Sequence, residues 1–168
     1  MSKALVLLSS NKNEVKKLGV VIDKGTQITE QHIEENIGVS KEYNIFELTN
    51  AVSALELNKA YKIINYFESN PKAGPLVVVV SSLFTFFTQI LKIHFLKQGS
   101  REAIAKALRV HPFVAGELMK AKNRYSPKKI AKNMEILQEF DLKSKGYGNA
   151  SSTQSDLMKE LVFKLVNP

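Results

Sequence analysis

The sequence contains no cysteine and no tryptophan. Without cysteine, the chain cannot form disulfides, thiolate nucleophiles, cysteine-ligated zinc sites or iron–sulfur clusters. Strand patterns are also scarce, because apolar and polar residues rarely alternate and the one β-branched run, at 77–80, lies inside a longer apolar segment. Helical periodicity dominates instead, so the sequence predicts an all-α protein.

Motifs that bind nucleotide phosphates are absent as well. Neither GxxxxGK[ST] nor GxGxxG occurs, so ATP hydrolysis is not expected. The histidines His32, His94 and His111 are far apart in sequence and belong to no HExxH motif, which argues against a preformed metal site. Glu34 and Glu35 are adjacent, so on a helix their carboxylates would diverge by about 100 degrees. We predict no catalytic, cofactor-binding or metal-binding residues, although an enzyme with a scattered active site stays open.

The composition is that of a globular chain, with 44% hydrophobic and 24% charged residues among 168. This is enough for one compact domain, alone or with a small appendage. The first ten residues include one lysine and a short apolar stretch, without a cleavage site or the length of a membrane-spanning helix. We therefore expect a cytoplasmic protein.

The formal charge of +8 is concentrated in one segment. Residues 97–145 carry twelve basic and five acidic side chains, whereas residues 1–96 carry ten basic and nine acidic ones. Such a segment favours a polyanion through counterion release, but it is equally typical of a solvated, lysine-rich surface. The candidate contacts to DNA phosphates or a partner are Arg101, Lys106, Arg109, Lys120, Lys122, Arg124, Lys128, Lys129 and Lys132. Arg109 and Arg124 are the preferred candidates, because arginine is favoured over lysine at interfaces.

Capping residues and apolar periodicity predict the positions of the helices. In chain order the approximate spans are 14–18, 30–36, 45–53, 54–68, 75–97, 101–108, 112–123, 128–142 and 154–166. The fourth span is predicted to begin at a capping box, Ser53-Ala-Leu-Glu56. Between the last two spans, 143–149 is too rich in glycine for a helix.

The span at 75–97 is apolar on most sides and has two interpretations. Its length would allow it to cross a membrane, but Ser81, Thr85, Lys92 and other polar residues interrupt it, and neither end has a clear interfacial anchor. The favoured interpretation is a central helix that the flanking amphipathic helices enclose. His94 is then a packed or boundary residue rather than a ligand.

Several segments, taken in order, resemble one known family. They are NEVKKL at 13–18, ITEQHIE at 28–34, NIFEL at 44–48, AYKII at 60–64, PLV at 75–77 followed by LF at 83–84, ALRVHPFV at 107–114, DLKSKG at 141–146 and DLMKEL at 156–161. In this order they are similar to the bacterial DNA polymerase III delta subunit, a clamp-loader component that helps to open the sliding clamp. The resemblance covers nearly the whole chain.

The resemblance implies an all-α helical bundle of the clamp-loader collar type with a small N-terminal helical remnant. Residues 1–40 would be part of a lid-like segment, and residues 41–168 a collar domain that packs beside other clamp-loader subunits. The family's ATPase-like domain, which contacts the clamp, does not lie within these 168 residues. The resemblance therefore implies a non-catalytic subunit, with no cofactor, no membrane partner and at most weak, sequence-indifferent DNA contact.

A helix-turn-helix DNA-binding protein is the alternative. Two short helices are predicted around the turn at 109–111, inside the basic segment. The second helix, however, begins with Pro112, Phe113 and Val114, which cannot hydrogen-bond base edges. The pattern therefore fits specific recognition poorly.

Overall fold

The computed structural model describes residues 42–96, 99–148 and 152–167, which form seven α-helices. They are α1 Ile45–Ala54, α2 Leu57–Ser69, α3 Leu76–Phe95, α4 Arg101–Leu108, α5 Pro112–Lys122, α6 Pro127–Ser144 and α7 Gln154–Val166. Within these ranges there is no strand, and the predicted all-α bundle is confirmed. The two helices predicted before residue 40 lie outside the described residues.

Local caps begin most of the helices where the sequence predicts them. Asn44, Ser100 and Ser126 each accept a hydrogen bond from the backbone N–H three residues further on. The first turn of α7 has a capping box, in which the side chains of Thr153 and Asp156 each bond the backbone N–H of the other residue. Such caps satisfy backbone donors that have no partner inside the helix.

The turn between α1 and α2 differs from the prediction. The capping box predicted there is wrong, because Ser53 lies inside α1 and Leu55 ends that helix in the left-handed conformation, with φ 62°. The N–H of Glu56 then bonds the Ala51 carbonyl at 2.8 Å. As a result α2 begins only at Leu57. Packing of Leu55 against the core offsets the cost of its left-handed backbone.

The central helix is α3, and one of its faces contacts α1, α5, α6 and α7. Around it, α2 packs against α1 and α7, and α4 packs against α5. The covered face of α3 consists of eight buried side chains: Leu76, Val79, Val80, Leu83, Phe86, Phe87, Ile90 and Ile93. They recur every three or four residues, as one face of a helix requires.

A buried glycine fixes the approach of α2 to α3. A Cβ atom on Gly74 would overlap the ring of Phe67, so only glycine fits at this position. The first residues of α7 also contact the junction between α2 and α3, because Gln154 Oε1 accepts a hydrogen bond from the Leu76 N–H at 3.4 Å. Ser155 Oγ also donates to a Glu68 carboxylate oxygen at 2.8 Å. These contacts join residues distant in sequence.

Tyr125, between α5 and α6, is fully buried on the covered side of α3. Its hydroxyl donates to the Val52 carbonyl at 2.6 Å, and its ring meets that of Phe87 edge-on at 5.1 Å. Burial raises the pKa of the Tyr125 phenol well above its ordinary value, so the hydroxyl stays a donor. His94 is half-buried and its Nε2 bonds the Tyr125 carbonyl oxygen at 2.8 Å, in agreement with the prediction of a packed or boundary residue.

An ion network joins α6 to α7. Lys143 Nζ lies 2.7 Å from Glu139 and 3.5 Å from Glu160, while Lys164 Nζ lies 2.8 Å from Glu160 and 3.5 Å from Glu139. Both ammonium groups also lie over the Phe140 ring, at 4.5 and 5.3 Å from its centroid. The hydrogen bond from Lys143 lowers the pKa of Glu139, and that from Lys164 lowers the pKa of Glu160.

Candidate subunit interface and basic surface

The second face of α3 is open to solvent. Its large apolar side chains are 45–79% exposed, and we call them the apolar stripe: Val77, Val78, Phe84 and Phe95. The sequence prediction of an enclosed central helix is therefore correct for one face only. Sequence reasoning missed the stripe, although Ser81, Thr85 and Lys92 recur at helical spacing and are all exposed on this open side.

Two hydroxyl groups on this open face bond within the helix itself, whereas Lys92 is a charged, exposed residue of the same helix. Thr85 Oγ1 donates to the Ser81 carbonyl at 3.0 Å, and Thr88 Oγ1 donates to the Phe84 carbonyl at 2.8 Å. Such back-bonded hydroxyls need no water partner, so a neighbour could cover them at little desolvation cost. At its C-terminal end the stripe borders a hollow of about 480 Å³ between α3 and α4.

By length and composition alone, α3 could also cross a membrane. Its most apolar 18-residue window has a mean hydropathy of 2.0, and 44% of that window is buried against the rest of the protein. The buried share packs on four helices of the same chain. This packing is the arrangement expected of a core helix with one face left open.

The predicted basic residues lie on α4, α5 and α6 and in the connection between α5 and α6. Lys106 and Arg109 are at the end of α4, Arg124 is in the connection between α5 and α6, and Lys128, Lys129 and Lys132 are in the first two turns of α6. The remaining three, Arg101, Lys120 and Lys122, line one cleft between the end of α3, α4 and α5. Tertiary structure therefore brings these three together from α4 and α5.

Few carboxylates balance these cations. Between 101 and 132 the chain has nine Lys and Arg residues but only Glu102 and Glu117. Lys120 pairs with Glu117 at 2.9 Å, and Lys129 Nζ lies 5.2 Å from the Tyr125 ring centroid. The first turn of α6 contains no acidic residue, so its lysines add to the positive end of the helix dipole. This placement slightly destabilises α6 but attracts anions.

Comparison with known proteins identifies the family. Residues 42–165 match the family model of the DNA polymerase III delta subunit, C-terminal domain. The chain belongs to this family. The resemblance stated from the sequence is thereby confirmed, and the delta C-terminal domain accounts for every helix described above.

Two relatives extend the comparison. The chain is 27% identical over 140 residues to DNA polymerase III subunit delta of Bacillus subtilis (strain 168), an alignment covering 82% of this chain and 40% of that protein. The solved structure of Bacillus subtilis DNA clamp loader delta protein (YqeN) superimposes with a TM-score of 0.64 and 23% identity, over 96% of this chain and 47% of that chain. At that identity the second match shows the shared fold alone. This chain spans less than half the length of either relative.

The helix-turn-helix alternative receives no support from these comparisons. The tight turn does exist, with Arg109 in the left-handed conformation at the end of α4. At the start of α5, His111 Nδ1 accepts from the Phe113 N–H at 3.1 Å, so this histidine is a helix cap. Within the described ranges, no three His, Asp or Glu side chains lie close enough together to hold a metal ion.

Proposed function

We propose that this chain is the region through which a delta-like clamp-loader subunit assembles with other subunits, and that it thereby supports sliding-clamp loading in DNA replication. The observation that carries the proposal is the apolar stripe. Exposed apolar side chains that share one helix face mark a candidate binding surface, whereas single scattered ones are ordinary. Family membership supports a neighbouring clamp-loader subunit as the partner.

In this proposal the helices after residue 40 form one sector of a collar, a helical disc in which subunits pack side by side. The covered face of α3 holds its own bundle together, and the apolar stripe meets a neighbour. From Val77 to Phe95 the stripe is about 27 Å long, at about 1.5 Å per residue, which suits packing against another helix. The Thr85 and Thr88 hydroxyls beside it already have partners within α3, which favours burial.

The domain assignment is part of the same proposal. Residues 1–40 are a lid-like segment and residues 41–168 the collar domain. Contact with the sliding clamp is assigned to the ATPase-like domain that the family resemblance implies. The chain itself then has no catalytic role, and it works in the cytoplasm beside the replicative polymerase.

Co-elution with partner subunits tests the proposal. Gel filtration with light scattering would be applied to this chain mixed with the clamp-loader ATPase subunits of the same organism. We expect a stable complex that the double variant Phe84→Glu and Phe95→Glu loses, because two charges would be buried at the interface. The matched control is Phe163→Glu on α7, a similarly exposed phenylalanine at 52%.

Two results would contradict the assembly role. If the unmodified chain co-elutes with none of the subunit combinations, the assembly role is excluded. Equal losses from the α3 and α7 variants, with circular dichroism showing both folded, would place the interface away from the stripe.

A second role, weak contact with DNA phosphates, is favoured by the unbalanced cations of α4 to α6. Such contacts should be indifferent to sequence and strongly weakened by salt. We expect equal affinity for a defined and a scrambled duplex, and Arg124→Ala should reduce the slope of log affinity against log salt by about one. Sequence preference would instead favour a helix-turn-helix mode, and no binding at low salt would exclude the role.

A further inference from the structure

A cleft of about 600 Å³ opens between the C-terminal end of α3, α4 and α5. Its floor is aliphatic, with buried Ile93 and Ile104 and half-buried Met119. This volume is within the range of sites that enclose a small ligand or an anchoring side chain. Among the described residues, the lining includes no aromatic ring.

The rim of the cleft is cationic. Arg101, Lys120 and Lys122 line it together with the aliphatic floor. Two of these cations have nearby carboxylates, Glu117 for Lys120 at 2.9 Å and Glu102 for Arg101 at 3.5 Å. Both pairs are exposed and therefore weak. Lys122 makes no ion pair with any residue that the structure describes, so the rim keeps a positive surplus.

A glycine inside α5 makes room for one of these cations. Glycine in a helix interior costs about 1 kcal/mol relative to alanine, so its presence calls for a packing reason. At Gly116 an added Cβ would lie 3.3 Å from Cδ of Arg101, closer than most such contacts. The aliphatic part of Arg101 therefore lies across α5 where the helix has no side chain, which holds the guanidinium group at the cleft.

We infer that this cleft binds an acidic peptide segment of a partner protein, with one apolar anchor residue on the floor. Carboxylates on either side of the anchor would pair with Arg101, Lys120 and Lys122. Charge complementarity selects an anionic ligand, and the aliphatic floor selects a peptide side chain over a nucleobase, since bases bind mainly by stacking on aromatic rings. The site goes beyond the proposed function and is separate from the apolar stripe.

Fluorescence anisotropy with the 168-residue chain tests the inference. The probe is a fluorescein-labelled peptide with one leucine between two runs of aspartate. We expect saturable binding that weakens about tenfold when serine replaces the leucine, because burying that side chain contributes about 1.5 kcal/mol or more. Lys122→Glu and Met119→Ser should each weaken binding to a similar degree, the first through charge and the second through the floor.

The control variant is Lys72→Glu, which makes the same charge change at an exposed position between α2 and α3, outside the cleft. It should change the affinity by no more than about twofold, because salt screens exposed charges that do not contact the ligand. Equal losses from Lys122→Glu and Lys72→Glu would overturn the inference in favour of general attraction, as would equal binding of the leucine and serine peptides. An oligothymidylate that binds the same cleft more tightly than the peptide would also overturn it. These outcomes are independent of the co-elution result.

Discussion

The two faces of α3 both carry large apolar side chains but have opposite environments. Phe87 is fully buried, whereas Phe84, one turn earlier, is 49% exposed. Both are phenylalanines in one continuous helix, so neither composition nor local conformation separates them. The neighbouring helices α1, α5, α6 and α7 cover one face and leave the other open. Apolar character alone therefore does not determine burial.

The two faces also differ in how their polar groups are bonded. On the covered side, Tyr125 and His94 bond backbone groups far away in sequence. On the open side, Thr85 and Thr88 bond only carbonyls of their own helix. We therefore expect changes on the covered face to alter the free energy of unfolding, and changes on the open face to alter association.

The largest effect should come from Phe87→Ala on the covered face. Removing a fully buried ring leaves a cavity beside Tyr125 and should lower the free energy of unfolding by about 3–5 kcal/mol. Urea denaturation of Phe87→Ala and of Phe84→Ala measures how much stability each face of α3 contributes. Similar losses from the two variants would mean that the open face is also packed.

Tyr125→Phe should have a smaller effect, because it keeps the ring and removes only the hydroxyl. The Val52 carbonyl also accepts from the Leu55 N–H at 3.0 Å, so it stays paired in the variant. We expect a loss of about 1 kcal/mol in the free energy of unfolding, measured by urea denaturation. Tyr147→Phe, at a 69% exposed position, is the control and should be neutral.

Acid should weaken the ion pairs that join α6 to α7, the two helices that pack together against α3. The pKa values of Glu139 and Glu160 are lowered in the folded protein, so their contribution is present above the ordinary carboxyl pKa and is lost as pH falls through the lowered values. Because the groups are partly exposed, the total is about 1 kcal/mol or less. Urea denaturation at neutral and acidic pH measures this loss.

The double variant Glu139→Gln and Glu160→Gln should lose less stability on acidification than the unmodified chain. Glu135→Gln, outside the ion network, is its control. An unchanged acid dependence in the double variant would show that other carboxylates cause the loss.

The smallest effect on stability should come from Phe84→Ser on the open face. A side chain exposed to this degree should change the free energy of unfolding by no more than about 0.5 kcal/mol. Binding of a dye that reports exposed apolar surface should decrease in parallel. A large loss of stability with unchanged dye binding would contradict the open stripe.

Helix starts were the most predictable feature, because a cap acts within three residues. The helices predicted to start near 45, 101 and 128 begin at Ile45, Arg101 and Pro127, directly after the caps Asn44, Ser100 and Ser126. The prediction failed at Ser53. The capping pattern there does not begin a helix, because α1 continues through Ser53 and ends at a left-handed Leu55 that packs against the core. That outcome depends on a distant packing partner, which local pattern reasoning does not include.

The candidate sites were less predictable. The basic side chains follow directly from the sequence, but the grouping of Arg101 with Lys120 and Lys122 around an aliphatic floor depends on how α4 lies against α5. Their role in binding a partner or DNA stays a prediction. The contact between the Arg101 side chain and Gly116 likewise depends on the packing of α4 against α5.

By itself, the sequence determined the helical class, the order of the helices and the presence of one long apolar helix, since capping and periodicity act over a few residues. Only the tertiary structure decided which helices cover α3, that Tyr125 joins α1 to α3, and where the cleft opens. These features arise between segments far apart in the chain, and their free energies depend on contacts that form only when the helices pack together.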